Sequence, residues 1–419
     1  MSTIKINKIF IVLHISLCLF PIYSCAQQRS ELKLGADRLI EENISNLYGK
    51  KIGLIVNHTS LLSNGAHLVD TLFNINEIKI VSLFAPEHGI RGDADAGKPI
   101  ADGFDPATGI KITSLYGNTK KPTKEMLDNI DILIYDIQDV GARYYTYIST
   151  LYYVIEAAAE YGKQIIILDR PNPIGGDKVE GPILDLSFRS FVGIAEIPIQ
   201  HGMTVGELAL LFNDDIETKK NISAEIEIVK MLNWNRYKYF DDYFYEWISP
   251  SPNINKFETS MVYPGTCLIE GTNLSEGRGT LEPFLVIGAP FIESEKLIDE
   301  LLKNSVVGVK CEPATFTPVS IKGMSSSPKL QDVVCYGIRI SITNRQEFNP
   351  VEFGVKLLSV IVKLYPDKIK FNNDFFDRLA GTDKIRKLLL EKTDPVSIMY
   401  YWQDDLQNFL NKRNKYLLY

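Results

Sequence analysis

The chain has 419 residues, 45 Lys+Arg against 52 Asp+Glu, 45% hydrophobic and 23% charged. That composition excludes a disordered or repetitive chain and leaves room for two domains, or one large domain with an appendage. A formal charge of -7 with no long Lys/Arg run excludes nucleic acid as a partner, because phosphate binding depends on a basic surface.

Residues 1–25 read as an export signal. Lys5 and Lys8 precede an apolar run over 9–20, too short to span a bilayer but of the length a secretory signal uses. Ile22-Tyr23-Ser24-Cys25 is close to a bacterial lipobox, which makes Cys25 the lipidation candidate, although Tyr is unusual at its position. Ser24-Cys25-Ala26 also satisfies the small-x-small rule for ordinary cleavage before Gln27. The expected location is the periplasm, with the membrane reached only through a lipid on Cys25. Cys18 falls in the signal. Cys267, Cys311 and Cys335 are widely spaced without CxxC, so they form neither a disulfide framework nor a zinc site, and read as buried thiols with room for one disulfide.

Over 30–250 the pattern is α/β, a Rossmann-like parallel sheet. Buried strands are predicted at 52–56, 78–84, 132–135 and 164–168, with helical periodicity at 61–72, 123–127 and 150–161. The strands end in Asn57, Glu87, Asp136 and Asp169, and carboxyl ends of such strands are expected to face one crevice. No GxGxxG or Walker A sequence follows the first strand, so no nucleotide cofactor is expected. Residues 251–419 read as a second, smaller α+β domain. It is introduced by Ser249-Pro250-Ser251-Pro252-Asn253 and by the Tyr263-Pro264-Gly265 break. Strands follow at 285–287, 316–319 and 337–342, and helices at 350–364 and 398–419.

Four segments concentrate polar groups that are costly to bury unless they bind something. Glu87-His88-Gly89-Ile90-Arg91 places a carboxyl, an imidazole and a guanidinium after a strand, a candidate acid/base site. The bland alternative pairs Arg91 with Glu87 or Asp93. Asp136-Ile137-Gln138-Asp139, with Arg143, Tyr144, Tyr145 and Tyr147 after it, offers acids together with rings and hydroxyls suited to sugars. Asp169-Arg170-Pro171-Asn172-Pro173 is a charged loop stiffened by two prolines. Glu270, Glu276 and Arg278 share a glycine-rich stretch in which Arg278 could fork onto a carboxylate. Thr204 and Glu207 form a capping box behind His201, which explains Glu207 without catalysis. His58, His88, His201 and Asp136 have no HxxxH or HExxH spacing, so no metal is expected.

Taken in order, Gly53-Leu54-Ile55-Val56-Asn57-His58-Thr59, Pro86-Glu87-His88-Gly89-Ile90-Arg91-Gly92, the 136–147, 169–173, 201–207, 250–253 and 270–280 segments and the closing Tyr416-Leu417-Leu418-Tyr419 carry a further signal. Together they resemble the exo-β-N-acetylmuramidase family of bacterial glycoside hydrolases over nearly the whole chain after Lys50. The resemblance implies release of terminal N-acetylmuramic acid from the non-reducing ends of peptidoglycan fragments, with the smaller domain completing the cleft. It places the family's proposed catalytic glutamate on Glu87. On this reading Glu87, His88 and Asp136 are the catalytic candidates. The substrate-binding candidates are Asn57, Arg91, Asp139, Arg143, Tyr145, Asn172, His201, Asn253, Glu270, Glu276 and Arg278. One departure is the 241–247 segment, where the family commonly has a Thr-Gly-Leu-type turn.

Glycoside cleavage needs an acid for the leaving oxygen and a second group at the oxocarbenium-like centre. Glu87 is the natural acid. Asp136, Asp139, Glu270, Glu276 or the substrate's own acetamido oxygen could be the second group. Arg143 or Arg278 would face the lactyl carboxylate of muramic acid. The competing class is an exported sugar- or peptidoglycan-binding lipoprotein, which would use those arginines and tyrosines but needs no acid at Glu87.

Overall fold

A computed structural model describes residues 31–92, 102–243 and 245–419. Cys25 and the rest of the leader, Asp93 and Phe244 lie outside the described residues. No helix among the described residues is long and apolar enough to cross a membrane.

Seven strands form the first sheet: β1 (Lys51–Val56), β2 (Lys79–Ala85), β3 (Gly103–Phe104), β4 (Lys111–Ser114), β5 (Ile132–Asp136), β6 (Gln164–Leu168) and β7 (Glu225–Val229). Their order is β3-β4-β2-β1-β5-β6-β7, parallel throughout except for the β3–β4 edge. Leu54 of β1 stands opposite Leu83 on one side and Ile134 on the other, so the unbroken apolar runs are those sandwiched between helices. The winding reverses between β1 and β5, the point where α/β folds of this order bind ligands.

Helix α1 (Leu68–Phe73) covers only the second half of the predicted 61–72 stretch. Gly65, at φ 83, turns the chain, a Leu61–His67 bridge closes the loop, and the His67 ring accepts from Val69 N to start the helix. Helix α2 (Tyr147–Tyr161) starts three residues before its predicted range. Helix α3 (Val205–Lys220) opens with the predicted capping box: Thr204 N donates to Glu207 Oε2 at 3.0 Å, and Glu207 N donates to Thr204 Oγ1 at 3.2 Å.

The second sheet is antiparallel, β8 (Val286–Ala289), β9 (Val309–Phe316) and β10 (Cys335–Ile342), in the order β8-β10-β9. Strand β9 ends where a strand over 316–319 was expected to begin. Pro313 inside it is tolerated because β9 lies at the edge. The Tyr263-Pro264-Gly265 break is instead the end of helix α4 (Phe257–Thr266), and helix α5 (Pro350–Leu364) matches its predicted range. A Cβ on Gly265 would stand 1.8 Å from the Pro350 carbonyl oxygen and one on Gly354 2.5 Å from the Gly265 oxygen, so only two glycines allow this helix crossing. The helix predicted over 398–419 divides into Pro395–Tyr400 and Gln403–Arg413. Cys267, Cys311 and Cys335 are all free thiols. One apolar cluster includes Ile55 and Phe84 of the first sheet together with Ile287 and Ile338 of the second.

Candidate active site

A cavity of about 600 Å³ opens beyond the end of β2. Its walls are Glu87 and His88, the 144–147 segment leading into α2, Tyr263 of α4, the Glu270–Glu276–Arg278 stretch and a loop over 324–329.

Glu87 enters the cavity because the chain turns sharply after β2. His88 has φ 71, a left-handed conformation that costs a non-glycine residue energy and recurs at functional sites. Thr146 Oγ1 donates to Glu87 Oε2 at 2.6 Å. The Tyr116 hydroxyl stands beside the same carboxylate, and burial first, then the Glu87 charge, push that phenol above its ordinary range. Behind them Tyr147 donates to the Pro250 carbonyl at 2.7 Å. Tyr145 packs edge-on to Tyr147 and Tyr263, with centroids at 5.0 and 6.1 Å. The Tyr145 hydroxyl is buried beside Ser251 and Tyr147 and makes no hydrogen bond of normal geometry among the described residues, so it can serve a ligand.

The other wall is charged but balanced. Arg278 Nε donates to Glu270 Oε1 at 2.7 Å and lies 3.7 Å from Glu276 Oε1. Lys329 Nζ stands 2.9 Å from Glu276 Oε2. The guanidinium also stacks over Phe284 at 5.1 Å, and its Nη1 has no acceptor among the described residues. Two acids and two bases thus neutralise one another while Arg278 keeps donors for a further anion.

The family description "Exo-beta-N-acetylmuramidase NamZ, N-terminal" matches residues 52–258, and its C-terminal counterpart matches residues 261–419. This chain belongs to the exo-β-N-acetylmuramidase family. It is 44% identical over 393 residues to the peptidoglycan β-N-acetylmuramidase NamZ of Bacillus subtilis (strain 168), covering 94% of this chain and 92% of that protein. Two crystal structures of DUF1343 family proteins from Bacteroides fragilis are similar, each covering 93% of this chain and 99% of the other. One has TM-score 0.85 at 34% identity and the second 0.74 at 33%.

The cavity of this exo-β-N-acetylmuramidase family member gathers Glu87, His88, Tyr145, Glu270, Glu276 and Arg278 from the expected residues. The remainder stand elsewhere, each for a definite reason. Asp136, expected to be catalytic, is fully buried and forked to Arg170 at 2.5 and 2.8 Å. Asn57 makes an Asx turn to Thr59, and Ser60 and Thr59 bridge to the Asp136 and Gln138 backbone. These side chains fill the crevice between the ends of β1 and β5, so the expectation that four strand ends share one open cleft is corrected: only Glu87 reaches the cavity. Asp169 accepts from Gly206 N, Thr204 Oγ1 and the Tyr419 hydroxyl.

Arg91, whose expected alternative partner Asp93 lies outside the described residues, is forked by Asp70 and Asp105 at 2.8–3.1 Å. Asp139 binds Gly141 N at 2.8 Å and stands 3.3 Å from the His201 ring, both side chains being buried. Asn172 closes a turn through Ile174 N and Met203 O. Asn253 donates to the Met324 carbonyl at 2.8 Å and so positions the 324–329 wall. Arg143 gives four guanidinium bonds to carbonyls of Pro182, Ile197, Leu379 and Ala380 at 2.7–3.0 Å, and its remaining Nε–H is fully buried away from the cavity. Burial pushes its pKa down to about 9. Tyr116 and Lys329 carried no sequence signal, whereas Thr146 sat unremarked inside the tyrosine segment. No group of three or more His, Cys, Asp or Glu among the described residues is arranged to hold a metal ion.

Proposed function

We propose that this chain is an exo-acting glycoside hydrolase that releases terminal β-linked N-acetylmuramic acid from the non-reducing ends of peptidoglycan fragments. The observation that carries this reading is Glu87, a carboxyl on the wall of an aromatic cavity, oriented by the Thr146 hydroxyl at 2.6 Å. A pure binding site would need the rings and Arg278 but no such acid. Glu87 delivers a proton to the leaving oxygen as the glycosidic bond breaks. With Asp136 and Asp139 held away from the cavity, the second group comes from Glu270, Glu276 or the substrate's acetamido oxygen. The free edge of Arg278 receives the lactyl carboxylate, which separates muramic acid from N-acetylglucosamine. Incubating the purified protein with a muramyl-N-acetylglucosamine disaccharide should liberate free N-acetylmuramic acid, read by chromatography. Saturable binding with no release would leave only the lectin-like reading.

The substrate lies outside the cytoplasmic membrane, which supports export through the 1–25 leader and acylation of Cys25 as part of the same proposal. Cells fed a fatty-acid analogue should label the wild-type chain and not Cys25→Ala. Absence of label from both would remove the anchor and leave a plainly secreted enzyme.

A further inference from the structure

A second, open cavity of about 700 Å³ adjoins the first, since Val192 and Phe375 line both. Its floor is basic in a chain of formal charge -7. Lys120, Arg189 and Arg378 line it, and none forms an ion pair with a carboxylate among the described residues. Glu156, also on this surface, is already held by Lys121 and Lys220. The ridge between the cavities is a tight turn in which Ser190 and Gly193 exchange backbone hydrogen bonds at 2.9 and 3.1 Å. Ser149 fixes the Phe191 carbonyl at 2.7 Å.

Phe191 on that ridge lies between Tyr116, 5.9 Å away beside Glu87, and Tyr153, stacked at 6.4 Å and 11°. Lys120 sits 4.7 Å over the Phe191 ring, and the buried Ser190 hydroxyl has no hydrogen-bond partner among the described residues. Rings in a row suit pyranose faces, and uncompensated cations suit carboxylates.

We propose that this shelf binds the leaving-group side of the substrate, taking a carboxylate carried beyond the scissile bond. The proposal rests on the hydrolase reading above. In an alternating muramyl chain that carboxylate is the lactyl group of the next muramic acid, or a stem peptide attached to it. An enzyme so built prefers fragments longer than a disaccharide.

The test compares wild type with the Arg189→Gln, Arg378→Gln double variant on four substrates. These are the muramyl disaccharide, the peptide-free tetrasaccharide, the tetrasaccharide with its inner lactyl carboxyl amidated, and one bearing an Ala-Glu dipeptide there. Exposed charge contacts are modest, so the variant should lose about three- to ten-fold in kcat/KM on the peptide-free tetrasaccharide, mainly through KM. Disaccharide turnover is the reference and should not move. Amidation should cost the wild type a comparable factor. A larger loss on the dipeptide substrate than on the peptide-free one assigns the carboxylate to the peptide, and equal losses assign it to the lactyl group. Equal behaviour of variant and wild type on charged and amidated tetrasaccharides overturns the shelf. If wild type releases no muramic acid from any of the four, the hydrolase reading itself falls.

Discussion

Glu87→Gln should reduce release of muramic acid from a natural disaccharide by roughly 10²–10⁴-fold, the usual contribution of a positioned general acid. The amide keeps the size of the side chain and can still meet Thr146 Oγ1, 2.6 Å from Oε2, so the thermal midpoint and substrate binding should stay near wild type. With a nitrophenyl aglycone, which departs with little protonation, the loss should shrink. That contrast separates proton donation from a packing defect, which would depress both substrates alike. Near wild-type hydrolysis of the disaccharide by the folded variant would remove Glu87 from the acid role and move attention to Glu276.

Arg143→Met should be among the most destabilising changes in the molecule. It removes the donor for carbonyls of Pro182, Ile197, Leu379 and Ala380 at once, in a fully buried position. Each stranded buried acceptor costs about 1–3 kcal/mol, so the sum exceeds ~4 kcal/mol even if water recovers part of it. In a chain of 419 residues a loss of that size lowers Tm by roughly 5 °C or more, or prevents folding. Gly381, at φ 75, shows how closely the site is built, because a Cβ there would stand 2.5 Å from Arg143 Nη2. Arg143→Lys supplies at most three donors without the planar fork and should recover only part of the stability. A variant that melts like wild type but no longer distinguishes muramic acid from N-acetylglucosamine would restore Arg143 as a substrate clamp.

Legibility in the sequence followed from how local the governing physics was. Strands β1, β5 and β6 announced themselves because burial on both faces demands unbroken apolar runs. The capping box of α3 needs only four residues and was read directly. Strand β7, Glu225-Ile226-Glu227-Ile228-Val229, sits at an edge and alternates charge with Ile, so it gave no such run. Helix α4 was hidden by Pro264-Gly265, whose effect depends on the packing of Gly265 against α5.

The site divided on the same line. That Glu87 follows a strand was visible, but which polar residue meets which partner was not. Arg170 lies 34 positions from the Asp136 it neutralises, and Arg143 lies more than two hundred from two of its carbonyls. Such pairings are decided by tertiary structure, and they turned several expected ligands into internal struts.

The filled crevice between β1 and β5 bears on inhibitor selectivity. Rossmann-like proteins that bind nucleotides do so at this reversal point, but here Asn57, Thr59, Ser60, Asp136 and Arg170 occupy it with mutual hydrogen bonds. An adenosine-like ligand therefore finds no seat in this crevice. An inhibitor of this enzyme is therefore best shaped for the Glu87 cavity rather than for the nucleotide position of the topology.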